Sequence, residues 1–109
     1  MNEDVKIEES SGNVFIDIGF SEEEAERELL RSNLALKVYQ LLEERKLTPV
    51  ETEKIYGINQ SDVSCIQNGN FEDFSVELLF TLLNRLNQNI EIHIIPSDKT
   101  GGYQRIVAS

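Results

Sequence analysis

The chain has 109 residues, enough for one modest hydrophobic core, and a formal net charge of -10. Its single cysteine, Cys65, and single histidine, His93, exclude an intrachain disulfide and a Cys/His zinc site. No apolar run reaches the roughly 18 residues of a transmembrane helix, and the acidic start Met1-Asn2-Glu3-Asp4 is unlike a secretory signal, so the cytoplasm is the expected compartment.

Residues 1–13 are polar and are expected to be loose. Asn13-Val14-Phe15-Ile16-Asp17-Ile18-Gly19 is a short β-like run closed by glycine. Residues 1–20 thus read as an acidic leader with a candidate strand, either an edge strand or a segment that orders on a partner. Ser21 opens the first helix. In Ser21-Glu22-Glu23-Glu24 the hydroxyl can accept from the Glu24 N–H while Glu24 reaches back, and all three carboxylates suit the positive end of the helix dipole. Ala25, Leu29, Leu30, Leu34, Val38, Leu41 and Leu42 then recur at helical spacing to about Arg45.

Thr48 is the expected N-cap of a second helix, with Pro49 at N1 and Glu51 completing a capping box; Gly57 suits its left-handed end. Ile58 follows, and Asn59 caps a third helix that carries Val63 and Ile66 and stops at Gly69. Phe71 and Phe74 fall in a loop. Ser75 caps a fourth helix bearing Leu78, Leu79, Leu82, Leu83 and Leu86, ended by Asn87-Gln88-Asn89. Ile90-Glu91-Ile92-His93-Ile94 alternates with period two and predicts a strand. Alone it cannot stand, so it needs the Val14–Ile18 run or the same strand of a second chain. Residues 96–109, with Gly101-Gly102, read as a flexible tail. The expected fold is mainly α: a helical bundle over residues 21–95, with a short C-terminal strand and a candidate N-terminal one.

Two short helices joined by a tight turn at Gly57-Ile58-Asn59, between two longer helices, have the layout of a helix-turn-helix. Burial of Ile58, Val63 and Ile66 leaves Gln60, Ser61, Ser64, Gln67 and Asn68 on or near the outer face of the third helix. The N-terminal residues of such a helix face base edges in a major groove, where a Gln amide can pair with adenine. Free N–H groups at the starts of the second and third helices can hold phosphates without a basic side chain.

The stretch Leu47–Gly69, LTPVETEKIYGINQSDVSCIQNG, resembles the XRE-type (Cro/phage-repressor) helix-turn-helix family. With SGNVFIDIGF at Ser11–Phe20 and FSVELLFTLLNRLNQNIEI at Phe74–Ile92, the wider pattern is similar to short HigA-like antitoxins. The resemblance covers residues 11–95. It implies a homodimeric, operator-binding regulator, a repressor or antitoxin-type autoregulator, often paired with a toxin. The candidate DNA-binding residues are Thr48, Asn59, Gln60, Ser61, Ser64, Gln67, Asn68 and Lys54. The chain departs from the family pattern at Pro49, where a phosphate-touching Gln is usual, and at Glu53, where a small Ala is usual near the helix crossing. Cys65 and Asn68 are neutral where bases are frequent, and the third helix holds no Lys or Arg.

Acids outnumber bases ten to three over residues 1–33 and nine to five over residues 34–95, whereas residues 96–109 hold one acid and two bases. Generic affinity for DNA comes from Lys and Arg displacing counterions, so this charge opposes nonspecific binding. An alternative therefore stands beside the regulator: a protein-interaction module with a degenerate helix-turn-helix, whose acidic leader and first helix bind a basic partner such as a toxin. Lys37, Arg45, Lys46 and Lys54 are either phosphate contacts or ordinary surface charge. Glu22 to Glu28 either dock a basic partner or form a solvated helix face. His93 reads as a polar residue on the solvent face of a strand, and Cys65 as a half-buried small side chain. No glycine-rich phosphate loop, catalytic triad or metal-spaced cluster is present, so neither an enzyme nor a cofactor is expected.

Overall fold

The computed structural model describes residue 15 and residues 18–107. Four helices form among the described residues: α1 (Glu22–Arg45), α2 (Pro49–Tyr56), α3 (Gln60–Gln67) and α4 (Val76–Arg85). Each starts at a side-chain cap. The Ser21 hydroxyl accepts from the Glu24 N–H at 3.2 Å, and the Glu24 carboxylate accepts from the Ser21 N–H at 3.2 Å. Thr48 and Glu51 form the same reciprocal pair, at 3.1 and 2.9 Å. Asn59 Oδ1 accepts from the Ser61 N–H, and Ser75 Oγ from the Leu78 N–H. These bonds satisfy donors that the first helical turn leaves open.

The chain divides into two compact units, residues 1–30 with 96–109, and residues 31–95. In the first, Ala25 is buried. The Phe15 and Phe20 rings meet edge to face with centroids 5.5 Å apart, and Arg105 donates twice to Glu26, at 3.1 Å each.

The second unit holds the helix-turn-helix and its core. Leu34, Ala35, Val38, Leu41 and Leu42 bury one stripe of α1; Val63 and Ile66 come from α3; Leu79, Leu82 and Leu83 from α4; Ile58, Phe74 and Leu86 from the connections. The short α2 buries only Thr52, whose hydroxyl donates to the Thr48 carbonyl at 2.9 Å and so enters the core with its hydrogen bond made. Burial of each Leu or Ile stabilises by about 1.5–3 kcal/mol, which makes the α1–α3–α4 core, not α2, the anchor of this unit.

The two expected strands are corrected. Among the described residues no strand forms. The Ile90–Ile94 segment has the alternation of a strand, but a strand is completed by a hydrogen-bonding neighbour, and residues 89–95 make no backbone hydrogen bond with the described residues. In the Val14–Ile18 run, Phe15 is helical and accepts a bond from the Phe20 N–H at 2.9 Å, closing a turn through Gly19 at φ +106°. Residues 14, 16 and 17, like residues 1–13, lie outside the described residues, so most of the candidate N-terminal strand does too. No helix among the described residues is long and apolar enough to cross a membrane.

Candidate nucleic-acid interface

The interface is built on the pair α2 and α3, which pack against each other. Gly57 ends α2 at φ +71°, its N–H donating to the Glu53 carbonyl at 2.8 Å. That left-handed conformation is costly for a residue with a Cβ. It turns the chain so that Ile58 enters the core and Asn59 caps α3.

The division of α3 is sharp. Val63 and Ile66 are 0 % exposed, while Gln60, Ser61 and Ser64 lie in solvent. Asn59 Oδ1 is already engaged, accepting from the Ser61 N–H at 2.8 Å and from the Ser61 hydroxyl at 2.5 Å. Gln60 and Ser64 are therefore the side chains at this end with no such internal partner among the described residues. Gln67, half-buried, and Asn68, exposed, stand at the opposite end of α3 beside an apolar groove lined by Leu36, Tyr39 and Phe71. The structure thus gathers Asn59, Gln60, Ser61 and Ser64 on the first half of α3. Thr48 and Lys54 sit at the start and in the last turn of α2, both exposed.

At the start of α2 an anion would meet few free donors. Thr48 and Glu51 hold each other's N–H groups, and Pro49 has none. The start of α3 is more open: the Ser61 N–H is used by Asn59, but the Gln60 and Asp62 amides have no partner among the described residues. This is the helix end better suited to a phosphate.

The basic residues sort into two kinds that the sequence did not separate. Arg45 is not a surface charge. Its Nε donates to the Tyr56 hydroxyl at 3.0 Å, its Nη2 to the Leu86 carbonyl at 2.9 Å and its Nη1 to the Leu41 carbonyl at 3.3 Å, with the guanidinium 5.3 Å from the Tyr56 ring centre. Arg31 donates to the Phe71 carbonyl at 2.5 Å, and Arg85 to the Gly57 carbonyl in the turn itself. By contrast Lys37, Lys46 and Lys54 are exposed and carry no ion pair among the described residues. Within residues 31–95 the charge available to phosphate is therefore three lysines. Tyr56 and the end of α4 were the missing signals for Arg45, and neither is readable before the helices are packed.

Glu53 points into solvent, and Thr52 is the α2 side chain buried in the core. Glu53 and Asp62 line a shallow groove with Arg85 beside the turn. Glu51 is folded back onto its own cap, which leaves these two as the acids nearest the turn. Cys65 is a half-buried free thiol, and His93 stands in solvent. Among the described residues no three His, Cys, Asp or Glu side chains are grouped to hold a metal ion.

The family described as "Helix-turn-helix domain" matches this chain over residues 14–95. A solved structure named as an XRE family transcriptional regulator aligns with a TM-score of 0.65 and 34% sequence identity, covering 79% of this chain and 97% of that one. No curated protein matches the chain.

Proposed function

Because the chain belongs to the XRE family of helix-turn-helix domains, we propose that it is a sequence-specific DNA-binding transcriptional regulator. In this reading α3 enters the major groove. Gln60 and Ser64 face base edges, Asn59 and Ser61 hold the helix start against a phosphate, and Thr48, Lys54, Gln67 and Asn68 line the flanks. The helix-turn-helix domain extends over residues 21–95, between the acidic leader and the tail. The protein acts as a homodimer on a two-fold operator, as a repressor or an autoregulator of the HigA-like antitoxin kind. The observation that carries the reading is the division of α3: an inner face of Val63 and Ile66 at 0 % exposure, and an outer face of uncharged hydrogen-bonding side chains.

Fluorescence anisotropy with promoter DNA of its own gene, at two salt concentrations, tests this. The expected result is binding that weakens with salt, and a loss of about 1–3 kcal/mol for Gln60→Ala if its amide reads a base. Absence of binding even at low salt sinks the proposal.

A second reading is favoured by one specific contact. Arg105 donates to both oxygens of Glu26 at 3.1 Å, on a helix whose first turn also exposes Glu22, Glu23 and Glu24. This acidic helix face accepts a guanidinium within the chain, and a basic protein such as a toxin would meet the same chemistry there. Loss of affinity for a basic partner on Glu22→Lys and Glu23→Lys, with DNA binding retained, would separate the two roles.

A further inference from the structure

We propose that the C-terminal tail is an internal competitor: Arg105 occupies, on the first half of α1, the place that an arginine of a basic protein partner takes. Tail and helix start belong to one unit, residues 1–30 with 96–109. Arg105 Nε and Nη2 donate to the two Glu26 carboxylate oxygens at 3.1 Å each. The Glu26 side chain is 15% exposed and the Arg105 side chain 47%. Tyr103, two residues earlier, sets its ring centre 4.4 Å from the guanidinium carbon. A planar fork on both oxygens of a largely covered carboxylate is arginine geometry, which a lysine ammonium cannot reproduce.

Two features make this contact exchangeable. Residues 102–107 make no backbone hydrogen bond among the described residues, so side chains hold the strap and it can leave without breaking a ladder. Tyr103, Ile106 and Val107 stay exposed, so little apolar burial holds it down. The tail also leaves acids unmatched. Glu22 and Glu23 lie one turn before Glu26, exposed and without an ion pair among the described residues, whereas Glu24 is turned onto its own cap. The tail's other base, Lys99, makes no ion pair among the described residues either. A partner segment carrying several arginines matches all three acids, where the tail matches one, and so displaces Arg105. A segment with a single base gains nothing over the tail. The strap therefore sets a threshold: it withholds the acidic face from weakly basic ligands and yields it to strongly basic ones.

This inference rests on the second reading above, a basic partner on the acidic face of α1, and not on the DNA contacts. Fluorescence anisotropy of labelled nona-arginine against the full chain, at about 0.15 M salt, tests it. Arg105→Ala is expected to bind the peptide about two- to fivefold more tightly than wild type, the range of a surface ion pair. Lys99→Ala removes the same charge from the tail without touching the contact and should keep the wild-type affinity. Adding Glu26→Gln to Arg105→Ala should abolish the gain. Circular dichroism of the two tail variants should match wild type. A gain no larger for Arg105→Ala than for Lys99→Ala, or one that survives Glu26→Gln, overturns the competitor and leaves the acidic face as a binding surface. No binding of nona-arginine by any of these proteins, even at low salt, overturns both.

Discussion

Arg45 bridges α1 to the ends of α2 and α4 by donating to the Tyr56 hydroxyl and the Leu86 carbonyl. Leu86 has left the helix, so its carbonyl has no helical partner, and besides Arg45 only the Gln88 side-chain amide, at 3.2 Å, donates to it among the described residues. Arg45→Ala is expected to destabilise the protein by about 1–3 kcal/mol, the cost of stranding partly buried polar groups, as read by urea unfolding. A stability unchanged within error would return Arg45 to the surface charges. Gly57→Ala tests the turn at the same scale. The added Cβ meets only the Arg85 guanidinium, at 3.4 Å, so steric crowding is minor and the φ of +71° dominates. A loss of about 1–2 kcal/mol is expected from the left-handed backbone alone. The glycine's role was readable in the sequence because it is local. Arg45's was not, because a long side chain can reach any acceptor that packing happens to bring near.

Caps belong to the scale of the element, and here the sequence was explicit. Ser21-Glu24 and Thr48-Glu51 are reciprocal boxes in the structure as their spacing predicts, and Asn59 and Ser75 cap where expected. The inner face of α3 followed from the spacing of Val63 and Ile66. The strands did not follow, because alternation states which faces a segment would present but not whether a neighbour exists to complete it. The Ser21–Glu24 box also predicts a pH dependence. The Ser21 backbone N–H, and then its hydroxyl, hold the Glu24 carboxyl below the ordinary carboxylate range. A carboxyl whose folded value is depressed contributes stability above its unfolded value and loses it as pH falls through the folded one. The stability difference between wild type and Glu24→Ala should therefore shift in favour of the variant as pH falls from about 7 to about 3. Urea unfolding at stepped pH reads this directly, and a difference that stays flat would mean the box carries no charge-dependent strength.

Charge decides how the whole molecule meets DNA. Residues 1–33 carry a surplus of seven acids, and residues 34–95 a surplus of four. Three arginines of the helix-turn-helix unit are turned onto backbone carbonyls, leaving Lys37, Lys46 and Lys54 as its bases without a partner among the described residues. A regulator built this way depends for affinity on helix-end amides and on base contacts more than on counterion release. If all three lysines of each of two copies touch phosphate, the slope of log K against log salt reaches only about -5, from about -0.9 for each phosphate neutralised. Lys54→Ala removes one such contact from each copy and should flatten the slope by about 2, weakening all sequences alike. Gln60→Ala should leave the slope unchanged and instead erode the preference for operator over random duplex. Titrations of both variants against operator and scrambled DNA at several salt concentrations separate the two effects. A wild-type slope that Lys54→Ala does not alter would remove Lys54 from the phosphate contacts and leave them to bases outside α2 and α3.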